Sequence, residues 1–284
     1  MKIGVLTDSG SGLSLDFVKN SNVDLEIVSL SVIVNGKTFK ELTEIDNNEI
    51  SNHLLSGENL STSQPTFYDF TNAYKALKSK GCTHIIALHI SGSMSGTFNN
   101  SLSSSKEIED VIVNVIDTRT GATVLGSYVK YAIESIEKGL KFDEIVDNIN
   151  SFIDKQSILI VPYNLKQLKK SGRASSMQAL FTSLLSIKII LGLESNTGVL
   201  NIVDKVRSEK KAINRLEEHI NIGFEKGVRK FYLMHVINEN LLIEWKLKLE
   251  SKYPQCIFII EDFIPIVSVH TGVGSIGVGY DGNY

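Results

Sequence analysis

A chain of 284 residues, 42% hydrophobic and 21% charged, has ordinary globular composition, and its length is more than one core usually serves, so two domains are expected. A net charge of -3 without a basic stripe excludes nucleic acid as a natural partner. The opening residues carry too short an apolar run for a signal peptide. The greasiest stretch, residues 180–193, is broken by Thr182, Ser183, Ser186 and Lys188 and is too short to cross a bilayer.

Residues 2–7 read as a short apolar strand closed by the turn Asp8-Ser9-Gly10-Ser11-Gly12. A short helix follows over residues 15–20, then alternating extended chain over 25–34, and Asn35-Gly36 is a hairpin signal. Residues 46–55 and 66–80 are spaced as helices. Residues 84–90 and 111–116 are dense in Ile and Val, as strands covered on both faces are. Each leads through a Gly/Ser/Thr-rich turn into a helix, over 98–108 and 121–138. Such alternation implies a largely parallel, Rossmann-like sheet.

The second half changes cadence. A strand is expected over 157–162 and a helix over 164–170, with the polar turn Ser171-Gly172-Arg173 leading to a helix near 176–185. Segments 187–193 and 199–207 flank the hairpin turn Glu194-Ser195-Asn196-Thr197-Gly198. Helices over 208–226 and 239–253 alternate with strands over 229–236 and 256–263, and a glycine-punctuated strand is expected over 270–280. The fold class is therefore α/β with two α/β domains: residues 1–155 carry the parallel sheet, and residues 156–284 a mixed sheet with helices.

Polar turns at the carboxyl ends of parallel strands are where such sheets place ligands. Two candidates are Leu60-Ser61-Thr62-Ser63-Gln64-Pro65 and Ser91-Gly92-Ser93-Met94-Ser95-Gly96-Thr97, each before a helix. Ser63 or Thr66 could serve as a helix cap, with Pro65 near the first turn; hydroxyls and amides at a helix start could equally hold an anion. Enzyme patterns fail on spacing. Met94, not a serine, lies midway between Gly92 and Gly96, so there is no nucleophile elbow. Gly272-Val273-Gly274-Ser275-Ile276-Gly277 has dinucleotide-loop spacing, but too few residues follow it for a helix and second strand. His84 and His89 face opposite ways on a strand, and no metal site is spaced correctly. Cys82 and Cys256 stand alone, as small core residues in a reducing cytoplasm do. A lone histidine such as His270 is usually structural, but the glycines around it let backbone approach a ligand or a neighbouring loop closely. Arg173, Lys205 and Arg207 read either as solvated element ends or as site cations.

Six segments in register resemble the DegV family of bacterial fatty-acid-binding proteins, which includes the acyl-binding subunits of fatty acid kinase. They are Thr7-Asp8-Ser9, Thr62-Ser63-Gln64-Pro65, Ser95-Gly96-Thr97, Val115-Ile116-Asp117-Thr118, the run from Leu165 through Lys169-Lys170-Ser171-Gly172-Arg173-Ala174-Ser175, and His270-Thr271-Gly272-Val273-Gly274. The chain departs from the family at Ser171, where the family has Gly, at Ala174 (Ile), and at Ile187-Lys188-Ile189 (Ile-Lys-Pro). The resemblance implies two α/β domains with an acyl tunnel between or within them. It implies a long-chain fatty acid whose carboxylate is held by Thr62 and Ser95, with His270 beside the head group. Ser93, Gly96, Arg173 and Arg207 are the implied head-group or partner contacts. It further implies no catalytic residue, cofactor or metal, a separate fatty acid kinase catalytic subunit as partner, a cytoplasmic location, and room for peripheral membrane contact. The competing readings are a lipid-hydrolysing or acyl-transferring enzyme using Ser95 and His270, and a lipid sensor that acts without a kinase.

Overall fold

The computed structural model describes residues 1–173 and 187–283. The helix expected near 176–185, with Ala174 and Ser175 before it, lies outside the described residues.

Four parallel strands form the first sheet, in the order Leu25–Val28, Ile3–Asp8, His84–His89, Ile112–Asp117. The strand His84–His89 shows why its sequence is apolar without alternation. Ile85 and Ala87 pack with Phe70, Tyr74 and Leu77 of helix Phe67–Ser79. Ile86 and Leu88 face the other way, into a cluster with Val124, Leu125 and Tyr128 of helix Ala122–Glu137. Side chains alternate across a strand, so a strand covered on both faces must be greasy at every position. The helix Phe67–Ser79 begins at Thr66, whose hydroxyl and the Asp69 carboxylate form a reciprocal capping box.

The second sheet is mixed and six-stranded, in the order Leu200–Val206, Lys188–Leu193, Ser157–Val161, Ile276–Tyr280, Lys230–His235, Ile257–Asp262. Only its last pair is parallel. Leu159, Val161 and Leu233 pack with Leu216 and Ile220 of helix Glu209–Glu225 and with Leu242 and Trp245 of helix Glu239–Lys252. Ile158, Ile160, Leu191 and Met234 point oppositely and join the cluster that holds Ile86, Leu88, Val124 and Leu125. The two large sheets thus share one apolar layer. No helix among the described residues is long and apolar enough to cross a membrane.

Three expectations need correction. The extended run 25–34 serves two sheets: Leu25–Val28 joins the parallel one, while Ser31–Val34 pairs antiparallel with Lys37–Lys40 through the Asn35-Gly36 turn. The break falls where the Leu30 N–H leaves the ladder and donates to Ser9 Oγ at 2.9 Å. Residues 60–65 are not a turn after a parallel strand, because Leu60–Ser63 is the third strand of that small antiparallel sheet. Residues 270–280 are not one strand either. Pro265–Thr271 is a short helix with proline in its first turn, Gly272 and Gly274 reverse the chain at φ 88° and 93°, and only Ile276–Tyr280 enters the sheet.

Candidate functional site: a cavity between the two sheets

The shared apolar layer is not filled. A cavity of about 920 Å³, its open mouth included, is walled by Ile90, Ala122, Ile158, Ile160, Leu193, Leu200, Met234 and Phe263 among others. The polar part of its wall comes from three places: Thr62 and Ser63 of the small sheet with Gln64 just after them, Ser95 after the strand His84–His89, and His270 and Thr271 on the last turn of the short helix. Arg173 also lines it.

The loop carrying Ser95 is held by carboxylates at the ends of two parallel strands. Asp8 accepts the Ile90 N–H at 3.1 Å and pairs with His89 Nδ1 at 2.9 Å. Asp117 Oδ1 accepts the N–H of Gly92 at 3.1 Å and of Arg119 at 2.9 Å. Two of the motifs noted in the sequence therefore build the loop rather than touch the cavity. Gly96 follows Ser95, and a Cβ there would run into the Gln64 carboxamide. The Gln64 carboxamide thus lies against the Ser95 loop.

Thr62 Oγ1 lies 2.9 Å from His270 Nε2. Burial, with Arg173 close by, pushes the His270 imidazole down to about 4, so the ring is neutral at pH 7. Its other nitrogen, Nδ1, is buried with no hydrogen-bond partner. With Nε2 protonated, the ring donates to Thr62 and frees the threonine proton for the cavity. The Ser95 hydroxyl engages Thr97, whose Oγ1 is at 2.7 Å and whose N–H donates to it at 3.3 Å. His270 therefore pairs with Thr62 and not with Ser95, so the serine–histidine pair that a hydrolase would need is not formed.

Of the residues singled out in the sequence, Thr62, Ser95, His270 and Arg173 line one cavity. The Arg173 guanidinium also donates to the Ser171 carbonyl at 2.6 Å. Gly96 is the cap residue of helix Thr97–Ser105 and is not among the lining residues. Ser93 and Arg207 are not among the lining residues. Ser93 Oγ donates to the Thr197 carbonyl at 2.6 Å and ties the loop to the hairpin of the other sheet, while Arg207 is exposed just past the strand Leu200–Val206. Three residues were not singled out. Gln64 lay inside a quoted motif, and so did Thr97. Glu41 gave no local signal, because its partners, Ser9 and Ile266, are far away in sequence. Among the described residues no cluster of His, Cys, Asp and Glu is arranged to hold a metal. Cys82 and Cys256 are buried and free.

Comparison with known proteins matches the fold. The family model "Uncharacterised protein, DegV family" aligns with residues 2–283. A DegV domain-containing protein of Staphylococcus aureus (strain COL) is 33% identical over 288 residues, covering 99% of this chain and 98% of its own. One from Listeria monocytogenes is 32% identical over 279 residues, covering 98% and 97%. Among solved structures, DegV from Bacillus subtilis, a fatty acid binding protein, superposes with a TM-score of 0.89 at 26% identity, covering 99% of both chains. The fatty acid binding DegV family protein from Streptococcus agalactiae gives 0.91 at 27%, again covering 99% of both. On these matches across its whole length, the chain belongs to the DegV family.

Proposed function

We propose that the protein binds a long-chain free fatty acid in the cavity between its sheets, with the carboxylate at Thr62, Ser95 and His270 and the tail along the apolar wall. The observation that carries this reading is a greasy cavity whose polar wall gathers hydroxyls and a neutral imidazole, with one arginine beside them. Relatives of matching fold that bind fatty acids support it. A carboxylate leaving water needs its hydrogen bonds replaced, since otherwise desolvation costs several kcal/mol. Hydroxyl donors meet that need. Burying about 14 methylenes contributes roughly 11 kcal/mol gross at ~0.8 kcal/mol each, from which ordering and association subtract a large share.

The protein has no catalytic role in this reading. It works in the cytoplasm and presents the acid to a separate ATP-using kinase. A carboxylate held by neutral donors keeps its electron density, so its oxygen can form a bond to the γ-phosphorus of ATP as the bond to the ADP oxygen breaks. Arg173, which lines the cavity, meets the incoming phosphate in this reading. In this reading two α/β domains divide near residue 155, the first supplying Thr62 and Ser95 and the second His270, Arg173 and much of the acyl wall.

The test is native mass spectrometry of protein purified from cells, followed by lipid extraction. A co-purifying straight-chain monocarboxylic acid is expected. Protein that carries no lipid and takes up no added hexadecanoic acid overturns the reading.

A further inference from the structure

Thr97 is fully buried at the first position of helix Thr97–Ser105. Its hydroxyl has one hydrogen-bond partner among the described residues, Ser95 Oγ at 2.7 Å. A buried hydroxyl proton without an acceptor is costly, so hydroxyl rotors turn to satisfy donors first. If Ser95 donated to Thr97, the Thr97 proton would be buried with nowhere to go. If Thr97 donates to Ser95, every donor is served, because Ser95 lines the cavity and can send its own proton there. The Thr97 N–H also points to Ser95 Oγ, at 3.3 Å. A serine oxygen has two acceptor sites and one proton. With both acceptor sites engaged by Thr97, the proton is the one valence left.

We propose that Thr97 is a positioning residue that directs the Ser95 proton into the cavity and so makes that end selective for a head group that only accepts hydrogen bonds. The inference rests on the reading of the cavity as a carboxylate site. It sharpens that reading: a carboxylate suits a fixed donor, whereas a primary alcohol, which must also place its own proton, gains less from it.

The test compares Thr97→Ser with Thr97→Ala. Both lose the methyl group and differ from each other only in the hydroxyl, so packing is held constant between them. Dissociation constants are measured for hexadecanoic acid and hexadecan-1-ol by displacement of a fluorescent fatty acid, with Ser95→Ala alongside. Thr97→Ser is expected to bind both ligands as the wild type does. Thr97→Ala is expected to lose about tenfold for the acid and under threefold for the alcohol. Equal losses for both ligands in Thr97→Ala, or the same acid affinity in the Ser and Ala variants, overturns the proposal while leaving the carboxylate site standing. If Ser95→Ala holds the acid as tightly as the wild type, the carboxylate reading itself falls. Should Thr97→Ala fail to fold, Thr97→Val, which keeps the volume and lacks the hydroxyl, is read against Thr97→Ser in the same way.

Discussion

Glu41 and Ile266 are 225 residues apart in sequence, and Glu41 Oε1 accepts the Ile266 N–H at 3.1 Å. The other carboxyl oxygen accepts the Ser9 hydroxyl at 2.5 Å. Ile266 is the second residue of the helix Pro265–Thr271, whose cap residue Ile264 offers no side-chain hydrogen bond. A helix start needs its free N–H groups satisfied. Glu41 supplies that from across the fold and fixes the helix that carries His270.

The Glu41 carboxyl is buried, which pushes it up to about 7; its bonds to Ser9 and Ile266 pull the other way, and Asp8 nearby adds to the rise. The folded protein therefore holds a proton that the unfolded chain has released between pH 4.5 and 7. Stability contributed by this group falls as pH climbs through that window and is flat outside it. A shift from 4.5 to 7 corresponds to about 3 kcal/mol. Glu41→Gln keeps an acceptor for the Ile266 N–H and should remove this slope. The difference in unfolding free energy between the two proteins, measured with urea from pH 4.5 to 7.5, isolates it; parallel curves would remove Glu41 as the source.

His270 contributes with the opposite sign. Its folded value near 4 lies below the ordinary 6.5, so the unfolded chain takes up the proton first on acidification, and stability rises with pH from about 4 to 6.5. A carboxylate bound beside the ring favours imidazolium, so loading with hexadecanoic acid should move the His270 titration up by about one pH unit. Nitrogen-15 NMR of labelled histidine, free and loaded, reads this directly. A titration unmoved by ligand would take the carboxylate away from His270.

Removing either hydroxyl should weaken acid binding without disturbing the fold. Thr62→Ala and Ser95→Ala are each expected to cost about tenfold in affinity, the worth of one hydrogen bond to a charged group. Far-ultraviolet circular dichroism should stay native. Thr62→Ala also leaves the His270 ring without its partner, so its loss should be the larger. Full lipid retention in the double variant would exclude both residues from the site.

Local pattern was enough wherever an element's neighbours are ordinary apolar faces. The strand His84–His89 and the helices Phe67–Ser79 and Ala122–Glu137 follow from their own residues, because the strand is apolar on both faces and each helix buries one apolar face. Residues 25–34, 60–65 and 270–280 were misread because distant partners decide them: Ser9 for Leu30, the strand Ser31–Val34 for Thr62, and Glu41 for the helix carrying His270. The site shows the same limit. Thr62, Ser95, His270 and Arg173 were legible through short motifs. Glu41 has no spacing to betray it, and Ser93 sits in a motif yet spends its hydroxyl on the hairpin.

That hairpin is the last element to test. Its flanking strands place Leu193 and Leu200 in the cavity wall, and its tip clasps the Ser95 loop. Ser91 Oγ donates to the Gly198 carbonyl at 2.9 Å, Ser93 Oγ to the Thr197 carbonyl, and the Arg119 guanidinium to the Ser195 carbonyl at 3.2 Å. Gly198 has φ 67°, and a Cβ there would run into Ser91 Oγ and Arg119. Gly198→Ala therefore meets both backbone strain and a clash with the clasp, together worth about 1–2 kcal/mol. Because the clasp holds one wall of the cavity, the hairpin should lift more often, and a bound fluorescent fatty acid should leave several times faster in stopped-flow displacement. Ser93→Ala removes one tie without strain and should give a smaller acceleration. Equal release rates in all three proteins would mean that the acyl chain leaves by a path that does not need the hairpin to move.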